Sequence, residues 1–219
     1  MLVVLEQRGY LVNEPGTDRF RLTLKLFELA HRFAPIRRLT TAAEPIMSQL
    51  SDSIEQSCHL VVYYEGRGRV VAQQDSPSLR SFSVRLGADA PLVNTCSGHL
   101  LLAFAHPATR RTMLERIPKH HPQPGKRELE SVYRRVVENG YERLVSDQVF
   151  GVEDVGYPVF NHAGKVTAAL VVPFLSYLDD SHSVKIDAAR EFIHEAALEL
   201  SADLGHSSSQ AALGALSSR

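Results

Sequence analysis

Residues 152–160 (VEDVGYPVF) and 166–174 (VTAALVVPF) constrain the fold more than any other stretch of this chain. Both are rich in Val, Phe, Leu and Tyr, side chains that fit a pleated, half-buried surface. Asn161-His162-Ala163-Gly164 between them has turn chemistry, so the pair reads as a hairpin. The second run is apolar at nearly every position instead of alternating, and both of its faces should therefore be covered. Those covers must be amphipathic helices, and such segments precede and follow the hairpin.

In chain order, residues 2–8 read as the end of a helix closed by Gly9, where a positive φ costs nothing. Tyr10-Leu11-Val12, the turn cluster 13–18 and the alternating Arg19-Phe20-Arg21-Leu22 read as strand, turn and return strand. Apolar spacing predicts an amphipathic helix over 22–33 stopped by Pro35, and another over 41–51 with Pro45 early enough to be tolerated. Strands are expected at 58–64 and 69–73 around the two glycines of Glu65-Gly66-Arg67-Gly68, and a third at 81–85. Helices follow at 94–105, capped by Asn94 or Thr95, at 107–116 with proline in its first turn, and at 128–139 ending at Gly140. A long helix is expected over 183–204, and the tail 206–219, poor in large apolar groups, as disordered.

Composition narrows the class. At 219 residues, with 44% apolar and 22% charged residues, the chain is that of a folded globular protein. No apolar run approaches a membrane span, and 1–5 is too short for a signal peptide, so the expected location is the cytoplasm without membrane contact. Cys58 and Cys96 lack CxxC spacing and read as buried thiols. Residues 1–38 hold seven Lys/Arg against four acids, a net +3 beside −4 for the rest of a chain at −1 overall. A modestly basic head precedes an acidic body.

The quoted hairpin, with Gly140-Tyr141, Gly151-Val152, Pro158 to Val166 and Ala168-Ala169-Leu170, resembles the effector-binding domain of IclR-type bacterial transcription regulators. Residues 91–104, PLVNTCSGHLLLAF, look like the same family's PLHATALGKALLAF segment, and 5–22 resemble the end of its recognition helix and wing. The resemblance covers about residues 2–205. It implies an α+β fold, a GAF-like or profilin-like antiparallel sheet covered by helices. It also implies an organisation: 1–22 as the last part of a winged helix-turn-helix, 23–38 as a linker helix, 39–205 as the effector-binding domain. The implied partners are DNA, a small organic effector and further copies of the chain in a homodimer or homotetramer; no cofactor is implied. The two helices and the first part of the recognition helix that a winged helix-turn-helix places before this point are not in the sequence, so the expected remnant is truncated. Arg19 and Arg21 on the wing are expected to touch DNA phosphates, which position a protein without reading bases.

Carried over position by position, the resemblance assigns Asn94, Thr95, Ser97 and Gly98 to an effector pocket, the glycine and the helix-start amides suiting an acceptor or anion. It adds Ser146 and Asp147, where the family has a pair of acids. Three positions depart: a frequent family cysteine is Asp154 here, and two frequent serines are Val171 and Pro173, with Phe174 after them. The apolar replacements favour an effector with a sizeable apolar part, such as an aromatic acid. His59 stands where it either looks into the pocket or is a satisfied structural histidine. His99 reads as a partly exposed side chain.

Catalysis is not expected. Cys96 with His99, or Ser97 with Asp147, lacks a third orienting group and a nucleophile elbow. His120-His121 has no third ligand at metal spacing. The sequence leaves two readings open: an effector-responsive DNA-binding regulator, and a stand-alone small-molecule sensor or protein-interaction module that binds no DNA.

Overall fold

The computed structural model describes residues 1–17, 19–32, 34–120, 125–146, 149–177 and 184–207. Asp147, His121 and the tail from 208 therefore lie outside the described residues. The chain divides into two compact units, Met1–Thr41 and Ala42–Arg219.

In the first unit, α1 (Leu2–Gln7) is followed by Gly9 at φ +74° and by β1 (Leu11–Asn13) paired antiparallel with β2 (Phe20–Leu22). The Thr23 hydroxyl donates to Gly9 O at 2.6 Å and Lys25 Nζ to Arg8 O at 2.6 Å, tying the return strand to the helix end. Arg19 and Arg21 are exposed on this hairpin. α2 (Leu24–Arg32) comes next. It ends ahead of Pro35 as expected, but Pro35 itself sits in the first turn of α3 (Ala34–Ile54), where a missing N–H is harmless, and the helix expected over 41–51 is part of this 21-residue helix, with Pro45 in its interior.

The second unit is built on a six-stranded antiparallel sheet. Its strands are β3 (Cys58–Tyr64), β4 (Arg67–Gln74), β5 (Asp89–Ala90), β6 (Glu142–Val145), β7 (Val152–Phe160) and β8 (Val166–Leu175), in the order β5-β4-β3-β8-β7-β6. The expected hairpin is the pair β7–β8, in register from Val152↔Leu175 to Phe160↔Val166. Its turn is held by Asn161 Oδ1, which accepts from Ala163 N and Lys165 N. Glu65 and Gly66, both at positive φ, close the β3–β4 hairpin as a tight turn requires.

Helices are α4 (Cys96–Ala103), α5 (Pro107–Glu115), α6 (Lys126–Asn139) and α7 (Ile186–Asp203). β8 is buried from Ala168 to Phe174 because it is covered on both faces. Gly156 on β7 lies against Cys96 and Leu100 of α4, whereas its neighbour Tyr157 stacks on His194 of α7 at 4.8 Å. Alternation along the strand thus gives one face to α4 and the other to α7. Every residue of α4 is buried, as a helix apolar on all sides must be. Fully burying each of Leu100, Leu101 and Leu102 contributes about 2 kcal/mol.

Two expectations about strands are corrected. Residues 81–85 form no strand; Phe82 and Val84 alternate because they face a cavity, not a partner strand. Glu142–Val145, for which no strand is expected from the sequence, is the edge strand β6. No described helix is long and apolar enough to cross a membrane.

Candidate functional site

At the start of α4 the sequence builds a cap. Thr95, extended at φ −125°, accepts from Gly98 N at 3.1 Å and donates its hydroxyl to Pro91 O at 2.7 Å. The amides of Cys96 and Ser97 remain the free donors that a helix start leaves. The cap opens onto a cavity of about 420 Å³ enclosed by α4, α6 and strands β3 to β8.

Seven of the ten expected residues line this cavity: His59, Asn94, Thr95, Ser97, Ser146, Asp154 and Val171. His59 and Val171 are paired across β3 and β8, which sets both on the cavity side. Gly98 does not line it. A Cβ there would stand 2.3 Å from Leu92 O, so this glycine permits the helix to approach the preceding backbone, and its amide is spent on the cap. Pro173 has the right parity, opposite Asp154 in the register, but lies beyond the cavity edge, while Phe174 points to the α7 side. Asp147 is outside the described residues.

One part of the wall is apolar, with Val70, Phe82, Val84, Val93, Leu129, Val132, Leu144, Val149, Val152 and Val171; the rest is polar, with His59, Asp89, Asn94, Thr95, Ser97, His99, Glu128, Ser146 and Asp154. Ser97 Oγ is 3.3 Å from Thr95 Oγ1, and Ser146 Oγ accepts from Val149 N. His59 is 6% exposed, its Nδ1 has no hydrogen-bond partner, and burial lowers its pKa to about 4, so the ring is neutral. Asp154, whose side chain is in no ion pair or hydrogen bond among the described residues, has its carboxyl pKa pushed up to about 6 by burial.

Sequence reasoning missed a cluster around a buried acid beside the cavity. Glu142, 1% exposed, takes both carboxylate oxygens to Arg135 Nη2 at 2.9 and 3.1 Å. His99, also a cavity residue, is buried and not partly exposed: Nε2 donates to Val93 O at 2.9 Å and Nδ1 stands 3.7 Å from Glu142 Oε2. The position of His99 four residues after the Thr95 cap could have found it, since that spacing returns to the capped face. The Cys96 thiol, buried under Gly156, is pushed well above its ordinary pKa by burial and then by the charges of Asp154 and Glu142, so it is a poor nucleophile. Cys58 and Cys96 are both free thiols. Among the described residues, no three of His, Cys, Asp or Glu are grouped to hold a metal.

A second hollow, of about 690 Å³, lies at the other end of α4, between Leu101, Phe104, Thr109, Met113 and the β7–β8 turn with Lys165. It gathers none of the expected residues.

Comparison with known proteins places this architecture. The HTH-type transcriptional regulator KdgR of Escherichia coli is 29% identical over 212 residues, covering 94% of this chain and 79% of that protein. The fold matches an IclR-type regulator from a Silicibacter species at a TM-score of 0.76, with 17% identity over 94% of this chain and 82% of that one. It also matches an IclR homolog of Microbacterium hydrocarbonoxydans complexed with 4-hydroxybenzoate, at a TM-score of 0.72 and 23% identity over 93% of this chain and 82% of that one. The family model described as the bacterial transcriptional regulator IclR C-terminal matches residues 34–202, which hold the whole sheet and the cavity, and the chain belongs to the IclR family of bacterial transcriptional regulators.

Proposed function

We propose that this regulator senses a small organic acid with an apolar, aromatic or aliphatic body, bound in the 420 Å³ cavity, and that binding alters its hold on DNA. The observation that carries the reading is the convergence of seven residues from five separated places in the sequence on one hollow with a partly apolar wall. The Cys96 and Ser97 amides at the positive end of α4, with Asn94 and Ser97 beside them, offer a place for the acid. A complex of a structural neighbour with 4-hydroxybenzoate supports an aromatic body.

DNA is engaged through the winged helix-turn-helix whose wing is β1–β2, with Arg19 and Arg21 on phosphates. The chain acts in the cytoplasm as a homodimer or homotetramer. The effector changes DNA binding by preferring one arrangement of paired heads joined to their sensor domains through the helix after the wing.

A thermal-shift titration of aromatic acids, short oxoacids and sugar acids tests the sensor, because a ligand that binds only the folded state raises its apparent stability with concentration. Aromatic acids are expected to stabilise; tight binding confined to small oxoacids would overturn the apolar-effector reading. Operator affinity of the full-length protein is expected to change on adding the stabilising acid. Unchanged affinity and unchanged dimer geometry would sink the coupling and favour a stand-alone sensor.

A further inference from the structure

The cavity has an unusual charge. Among the described lining residues there is no Lys or Arg, while three are acids. Asp89 is neutralised by Arg67 and Arg69, each at 2.9 Å. Glu128 sits on the exposed face of α6, where water solvates it. Asp154 is different: it is half-buried on β7, lines the cavity and forms no ion pair or hydrogen bond with any described side chain. A carboxylate partly withdrawn from water and without donors is disfavoured in its charged form. The uncharged His59 imidazole on the same cavity wall, with an unpartnered and buried Nδ1, does not neutralise it. Among the described residues nothing donates to the Asp154 carboxylate, and the space beside it is hollow.

We infer that Asp154 selects the effector: the ligand carries a hydroxyl or amino group that donates to the Asp154 carboxylate, and a second carboxylate at that place is refused. This rests on the effector-pocket reading above and narrows it to monoacids bearing a donor. Asp154 stands near Cys96, at the start of α4, where the acid end of the effector is placed. A ligand with charge at both ends would set one of them against Asp154; a hydroxylated monoacid uses the helix start and Asp154 together.

The pH dependence follows. Other titratable groups of the cavity and this sheet face are His59 from β3, Cys96 and His99 from α4, Glu142 from β6, Glu128 from α6 and Asp89 from β5. His59, titrating at about 4, and Cys96, raised far above neutrality, keep one state over the range in which Asp154 gains its charge. The ionised form accepts a donor better than the neutral form, so a hydroxylated acid binds more tightly as pH rises, and a diacid less tightly.

Calorimetric titration of the purified chain with benzoate, 4-hydroxybenzoate and terephthalate, at about pH 5 and about pH 8, tests this. In the wild type at the higher pH, 4-hydroxybenzoate is expected to bind about tenfold or more tightly than benzoate, and terephthalate not detectably. In Asp154→Ala the preference for the hydroxyl should fall below about threefold. In Asp154→Asn, which keeps the shape without the charge, terephthalate should bind. Equal binding of benzoate and 4-hydroxybenzoate by the wild type, or a preference that survives both substitutions, would overturn the inference and leave the pocket standing. If none of the three acids binds saturably, the pocket reading falls and the inference falls with it.

Discussion

Two carboxylates on neighbouring strands face the same side of the sheet and meet opposite fates. Glu142 of β6 is the more deeply buried, yet it is held by Arg135 with His99 close by. Asp154 of β7, opposite Leu144 in the register, has no side-chain partner among the described residues. Burial alone therefore does not set these two acids apart; the presence of partners does. A fold that buries a charge for its own sake supplies the donors, as it has for Glu142. A charge left bare beside a hollow points to something that comes from outside.

The largest effect should come from breaking the satisfied side of this comparison. Arg135→Ala leaves the Glu142 carboxylate buried and uncompensated, and denaturant unfolding is expected to show a loss of about 3 to 4 kcal/mol. Adding Glu142→Gln should restore much of it, because the orphaned charge is then gone. If the single substitution costs under about 1 kcal/mol, Glu142 reaches water and the contrast with Asp154 dissolves.

Asp154→Asn should move stability the other way. The folded-state pKa lies above the unfolded value of 3.8, so the unfolded state releases its proton first and native stability falls as pH rises from about 4 to about 6. Above that window the wild type carries a penalty on the order of 2 to 3 kcal/mol, which Asn removes. Urea midpoints should favour the variant at about pH 7.5 and converge with the wild type at about pH 4. A variant less stable than wild type at the higher pH would mean that Asp154 has a partner of its own. Gain of stability with loss of selectivity is the trade expected of a binding residue.

How much of this was legible depended on whether the cause was local. The β7–β8 hairpin could be read because an uninterrupted apolar run needs covers on both faces, and the α4 cap because Thr95 sits just before an apolar stretch. β6 could not: Glu142-Arg143-Leu144-Val145 is short and charge-led, and it is a strand only because β7 offers its edge. Phe82 and Val84 alternate like a strand but answer to the cavity. In the candidate site, parity along β8 separates Val171 and Pro173 from Phe174 and was present in the sequence; where the cavity ends was not. The Arg135–Glu142–His99 cluster joins two helices and a strand, and no local pattern announces such a meeting.

His99 tests the cluster more gently. His99→Gln loses the 2.9 Å bond to Val93 O and the approach to Glu142. About 1 to 2 kcal/mol should be lost, less than for Arg135, because Arg135 still holds the carboxylate. A loss equal to that of Arg135→Ala would make His99 the principal partner of Glu142.

The smallest effect is expected on the other face of the same two strands. There Arg143 of β6 donates to both oxygens of Glu153 of β7, at 2.6 and 2.9 Å, and to Asp187 of α7 at 2.9 Å. The geometry is better than that around Glu142, but both acids reach water, Glu153 at 25% and Asp187 at 80% exposure against 1% for Glu142. Water already solvates these charges, salt screens them, and ordering the long arginine costs entropy. Arg143→Ala should therefore cost no more than about 1 kcal/mol, shrinking further in molar salt, as measured by parallel urea titrations. A loss matching that of Arg135→Ala would show that bond geometry, and not burial with partners, sets the worth of these acids, and the contrast drawn between Glu142 and Asp154 would have to be argued from geometry instead.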